Sequence, residues 1–283
     1  MKNKIVQRLI TFFVVFPILL LIMFWGVWHH LPLVLLSFMA SVWGAFEMAA
    51  LLRSKDMQTN VYLPVAFGLI FPVLAYAQIS GWIHPAHTVA AAGIAIMFVF
   101  LRQIFVNTEE GFEPILGKVA GNLLTMIYPG FFLYFIILLL GFPHASLLMA
   151  VFALSTFGND AMAWLWGTLF GRTSPKPFLV SPNKSVIGFI GGIVGTFLVL
   201  LTVFFVMPGL LGTNIFAVLL LAAILALTTI LGDLFESCLK RSAGVKDSGS
   251  LIPGRGGILD SIDSLLFSAP IFYIFLMFIH GRL

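Results

Sequence analysis

The stretch Asp233-Leu234-Phe235-Glu236-Ser237-Cys238-Leu239-Lys240-Arg241-Ser242-Ala243-Gly244-Val245-Lys246-Asp247-Ser248-Gly249-Ser250-Leu251-Ile252-Pro253-Gly254-Arg255-Gly256-Gly257-Ile258-Leu259-Asp260-Ser261-Ile262-Asp263 lies between two long apolar runs. The chain is only 9% charged, yet this segment holds five acids (Asp233, Glu236, Asp247, Asp260, Asp263) and four bases (Lys240, Arg241, Lys246, Arg255). Charges this dense beside such runs must meet water or a charged ligand. A polar loop with both signs and repeated glycine suggests a site that holds phosphate and metal together.

The flanking runs set the class of fold. The 283 residues are 60% hydrophobic, and the mean hydropathy is +1.09. Soluble domains sit near roughly 45–50% apolar, so an all-α, polytopic integral membrane protein is expected. Helices satisfy their own backbone groups in lipid, which favours them over other elements there. Nine spans are predicted, at roughly 9–28, 31–52, 62–82, 88–106, 119–141, 144–169, 187–207, 213–235 and 264–280, each near the length that crosses a ~30 Å hydrocarbon layer. The first run is too long for a signal peptide and lacks a small-residue cleavage site. The organisation expected is a single membrane domain over 1–283, with most site residues within 158–263. Cys238 is the sole cysteine, which excludes an internal disulfide.

The loops sort by charge. With these spans, 14 of the 15 Lys and Arg residues fall on one side, and only Arg282 falls on the other. The positive-inside rule makes the first side cytoplasmic, with the N-terminus inside and the C-terminus outside. A bacterial inner membrane is the expected location. The outer links are short and leave no room for an outer domain. Trp25, Trp28 and Trp82 lie near span ends, as interfacial anchors do.

Asp233, Glu236, Ser237 and Lys240 are spaced i, i+3, i+4, i+7 and share one helix face. Asp260 and Asp263 are also i, i+3. Carboxylates paired this way suit Mg²⁺, which takes oxygen ligands and keeps waters or substrate phosphates. The plain alternative is solvation at helix ends. Between these groups, glycines let backbone N–H groups approach a phosphate, and Lys246 and Arg255 can neutralise one. The order Gly-Lys-Ser/Thr of a P-loop is absent. The bland reading is a basic juxtamembrane loop on anionic lipid. Asn159-Asp160 lies inside an apolar run, and an intramembrane aspartate is a functional candidate. Ser181-Pro182-Asn183-Lys184-Ser185 precedes a span, where hydroxyls and N–H groups at a helix start favour an anion. Gly188, Gly191, Gly192 and Gly195 read as close helix packing. Glu47 lies inside the second span and needs a partner that the sequence does not name.

The ordered set from Ser237, Lys240 and Arg241 through Lys246-Asp247, Gly249, Ile252-Pro253, Arg255-Gly256-Gly257-Ile258 to Asp260-Ser261-Ile262-Asp263 resembles the signature of phosphatidate cytidylyltransferases, also called CDP-diacylglycerol synthases. Ser181-Pro182-Asn183-Lys184-Ser185 is similar to a second segment of that family. The family usually has histidine where Arg255 stands, arginine where Ser261 stands, and often an acid where Ile187 stands.

The resemblance implies an enzyme joining CTP to phosphatidate with Mg²⁺ as cofactor. It implies catalytic roles for Asp233, Asp260, Lys246 and Asp247. Substrate contacts would come from Asn159, Ser181, Lys184, Ser237, Lys240, Arg241, Arg255 and Asp263, and metal ligation from Asp160, Asp233, Asp260 and Asp263. Membrane lipid is a further partner, and nucleic acid is not expected. The oligomeric state is open, a homodimer included. The rivals are an ion-coupled transporter or channel, and a CDP-alcohol phosphotransferase. The first lacks evident inverted repeats and a charged path to the outer face. The second has aspartates with three residues between them in a different glycine-containing motif, whereas only Ser261 and Ile262 lie between Asp260 and Asp263.

Overall fold

The computed structural model describes residues 16–55, 57, 62–105, 108–252, 254 and 256–281. Helices dominate: α1 (Phe16–Phe24), α2 (Val27–Arg53), α3 (Tyr62–Ile79), α4 (Pro85–Leu101), α5 (Ile115–Met126), α6 (Phe132–Leu138), α7 (Ala145–Phe170), α8 (Val186–Val206), α9 (Ile215–Ser242) and α10 (Leu259–Ile279). The protein is an all-α polytopic membrane protein. Among the described residues, seven helical stretches are long and apolar enough to cross a bilayer, and Gly68–Ile79 is a shorter apolar one. Helices stand at the predicted positions from the second span to the ninth. The first predicted span lies largely outside the described residues, and only α1 represents it. Its count as a ninth crossing is therefore not established.

The chain divides into two compact units, residues 1–141 with 242–261, and residues 142–241 with 262–283. In the first unit, α2 buries Val34, Ala45, Met48, Ala49 and Leu52. Its regular part begins after His30, because Trp28, His29 and His30 have φ of 48°, 53° and 59°. The fifth predicted span is two helices joined by a π-helical turn over Ile127–Phe131. Pro129 removes a backbone donor there, a recognised cause of local rewinding. Gly130 permits a close crossing with α3, since a Cβ on it would lie 2.5 Å from the Gly68 carbonyl oxygen.

In the second unit, α7 and α8 pack tightly along a stripe of glycines. A Cβ on Gly188 would meet the Ala163 carbonyl at 2.9 Å, one on Gly191 the Trp166 ring at 2.5 Å, and one on Gly195 the Gly158 carbonyl at 2.9 Å. The spacing 188, 191, 192, 195 puts all four on one face, so the backbones approach closely. Asn159 is buried in this seam and donates to Thr196 Oγ1 at 3.0 Å. Farther along the unit, Thr229 and Ser268 join α9 to α10 through hydroxyls 3.0 Å apart.

Candidate active site

The second unit gathers the charged side chains of α9 with those before α8. Lys184 forms an ion pair with Asp233, and Lys240 pairs with Glu236 one turn back on the same helix. Glu236 is fully buried and Lys240 nearly so, at 0% and 12% side-chain exposure. Removing one member of such a pair leaves an uncompensated buried charge. Asp160 and Asp263 also act electrostatically on Lys184. Asp263 is buried and accepts from the Ser264 amide at 2.6 Å. Arg241 Nε donates to the Val180 carbonyl at 3.3 Å, which ties the end of α9 to the loop carrying Ser181. Ser237 is buried on the face that Asp233 and Lys240 share.

The start of α8 is already satisfied from within the chain. The amides of Val186, Ile187 and Gly188 donate to Pro175 O (2.9 Å), Ser174 Oγ (3.1 Å) and Ser185 Oγ (3.2 Å). These three amides are therefore not open to an anion, contrary to the expectation from the sequence.

The first unit holds the glycine-rich segment. Lys246 and Asp247 are exposed on it. Ile252 and Gly256 exchange backbone hydrogen bonds of 2.8 and 3.0 Å, which closes a tight turn. Gly254 and Gly256 have φ of +77° and +118°, where a side chain is strained. Arg255 lies outside the described residues. Asp260 Oδ2 accepts three hydrogen bonds: Ser248 N (2.8 Å), Ser248 Oγ (2.9 Å) and Gly257 N (2.7 Å). Asp260 thus reaches back three residues at the N-terminus of α10, where a carboxylate also meets the positive end of the helix dipole.

Glu47 is the residue whose role the sequence left open. Its Oε1 accepts from Ile258 N at 3.0 Å and its Oε2 from Leu259 N at 2.9 Å; Oε2 also lies 3.2 Å from Ser248 Oγ, whose single proton is shared with the nearer Asp260 Oδ2. A lone acid in an apolar span was the available signal. Its partners lie more than 200 residues away, so spacing could not identify them.

Burial holds the Lys184 ammonium below the usual lysine value of 10.5; Asp160 and Asp263 oppose this most strongly, Lys240 adds to it, and Glu236 opposes it. The sign follows from linkage. The folded state binds this proton less tightly than the unfolded chain, so the burial cost is fully present below the lowered pKa. It is relieved as pH rises between that value and 10.5. In metal-free protein, acylation of Lys184 followed by mass spectrometry should show a midpoint below 10.5. Asp160→Asn should lower the midpoint further, and an unchanged midpoint would contradict the electrostatic link.

Among the described residues, no three His, Cys, Asp or Glu side chains form a group able to cage a metal. The donor set of the second unit is nonetheless hard oxygen. It fits Mg²⁺, which is commonly held by one or two carboxylates together with substrate phosphates rather than by a protein cage.

Acids and bases gathered at helix ends give the second unit the charge and hydrogen-bonding groups that suit an anionic, phosphate-bearing ligand. A model of the cytidylyltransferase family matches residues 6–279. The chain belongs to this family, and it is accordingly an enzyme of the nucleotidyltransferase class. The phosphatidate cytidylyltransferase of Thermotoga maritima is 37% identical over 192 residues, covering 66% of this chain and 70% of that protein. That of Chlamydia trachomatis is 27% identical over an alignment of 294 residues, covering 99% and 95%. That of Staphylococcus haemolyticus is 42% identical over 119 residues, covering 42% and 45%.

Proposed function

We propose that this enzyme transfers the cytidylyl group of CTP to phosphatidate, giving CDP-diacylglycerol and pyrophosphate. The observation that carries the reading is the charged array of Lys184, Asp233, Glu236 and Lys240, with Asp160 and Asp263 acting on Lys184. The names of the relatives supply the substrates. In the reaction, a phosphate oxygen of phosphatidate attacks the α-phosphorus of CTP. The bond from that phosphorus to the bridging oxygen breaks, and pyrophosphate leaves with the electron pair. The nucleophile is already ionised near neutral pH, so no strong general base is required. Catalysis of this kind rests on positioning and charge neutralisation.

Lys184, Lys240 and Arg241 neutralise phosphate charge. Asp160, Asp233 and Asp263 would hold Mg²⁺, which when bound neutralises triphosphate oxygens and polarises the reacting phosphoryl group. Asp260 holds the glycine-rich segment by its Ser248 and Gly257 amides, and Lys246 and Arg255 belong to that segment in sequence. The bias of Lys and Arg to one side of the predicted spans supports a cytoplasmic site, with CTP arriving from that side.

The direct test is purified full-length protein with radiolabelled CTP and phosphatidate, with and without Mg²⁺. Labelled CDP-diacylglycerol that depends on both substrates and on Mg²⁺ is expected. Absence of any lipid-bound label under all conditions refutes the reading.

A further inference from the structure

We infer that Glu47 is a positioning residue for this reaction: a carboxylate within α2 that fixes the backbone on which the glycine-rich turn and Asp260 are mounted. The inference rests on the cytidylyl-transfer reading. Glu47 is 7% exposed within an apolar helix, and a buried carboxylate persists only where hydrogen bonds replace its water. Both of its oxygens are used on one short segment, Ile258 N and Leu259 N at the start of α10 and Ser248 Oγ across the turn.

Ser248 joins the two acids, since its hydroxyl lies 3.2 Å from Glu47 Oε2 and 2.9 Å from Asp260 Oδ2. The two carboxylates therefore grip the same few residues. Asp260 holds the Ser248 and Gly257 amides, and Glu47 holds the next two amides along the chain. Two glycines fit the carboxylate closely. A Cβ on Gly257 would lie 2.5 Å from Glu47 Oε2, and one on Gly249 would overlap Oε1. Part of the glycine content of the motif is thus explained by room for Glu47 rather than by access for a phosphate.

The test uses purified full-length wild type, Glu47→Ala, Glu47→Gln and Met48→Ala. Met48 is its fully buried neighbour on α2, and its truncation opens a cavity while leaving the hydrogen bonds of Glu47 to Ile258 and Leu259 in place. Hydrogen exchange is read at Ile258 and Leu259, and kcat and KM for CTP are measured alongside. Exchange at both amides should accelerate in Glu47→Ala, with kcat/KM falling roughly 10–100-fold, the range for residues that orient a site from behind. Glu47→Gln should fall between, because its single carbonyl oxygen can serve only one face of the former carboxylate, and it carries the test if the alanine variant does not fold.

Met48→Ala should lower thermal stability and leave both amides protected. The inference is overturned if folded Glu47 variants keep wild-type protection, if they lose it with unchanged kcat/KM, or if Met48→Ala reproduces the whole effect. If wild type makes no lipid product from CTP, the cytidylyl reading fails, and the exchange data still decide whether Glu47 holds the turn.

Discussion

Replacing Asp260 by Asn should lower CTP-dependent turnover by about 100-fold or more while the helices stay folded. One oxygen of this carboxylate gathers the Ser248 amide, the Ser248 hydroxyl and the Gly257 amide. An amide oxygen in its place accepts the same donors without the charge. Bonds to an ionised acceptor are about twice as strong as neutral ones. Weakening three of them removes on the order of 3 kcal/mol from the hold on the turn; to the extent that this hold serves the transition state, the same amount corresponds to roughly a hundredfold in rate. Circular dichroism and thermal unfolding in detergent check that the loss is local. Asp260→Glu keeps the charge but lengthens the arm, and it should recover only part of the activity. Full turnover in folded Asp260→Asn would remove this carboxylate from any account of the site.

The second large effect is expected at the Lys184–Asp233 pair. Removing one electrostatic stabiliser of a transition state typically lowers kcat by roughly 10²–10³, and each single variant, Lys184→Ala or Asp233→Asn, should fall in that range. The two should fail differently. Lys184→Ala raises KM for CTP because phosphate charge loses its counterion. Asp233→Asn raises the Mg²⁺ concentration required for half-maximal rate. Because the side chains are paired, the double variant should be less impaired than the product of the singles. A double-mutant cycle in kcat/KM measures this. Strict additivity would mean that the pair does not act as a unit, and an unaltered Mg²⁺ requirement would exclude Asp233 as a ligand.

Much of the architecture was readable because hydropathy tracks the bilayer. It tracks helices less well. The eighth predicted span ends at 235, yet α9 runs to Ser242. Asp233, Glu236 and Lys240 end the apolar run without ending the helix, since all three tolerate helical geometry and neutralise neighbours there. The ninth is predicted from 264, but α10 begins at Leu259, because its first turn is polar and held by carboxylates. The π-helical turn at Ile127–Phe131 is marked in sequence by Pro129-Gly130, which a reading by hydropathy alone passes over.

At the site, the i, i+3, i+4 spacing read the face of α9 correctly, and the Glu236–Lys240 pair follows from it. The Lys184–Asp233 pair joins residues almost 50 positions apart, and no periodicity reaches that far. Glu47 shows the same limit more sharply. Its need for partners is dictated by desolvation, while their identity is set by tertiary contact alone.

The hydrogen bonds from Ile258, Leu259 and Ser248 to Glu47 also bear on biogenesis. α2 is synthesised well before residues 248–259, so Glu47 is made long before the donors that replace its water. Until those donors are in place, the carboxylate needs water or another polar partner. A C-terminal piece bearing the family signature would lack the acceptor for its own Ile258 and Leu259 amides, so a self-sufficient form of this enzyme needs α2 together with the signature segment.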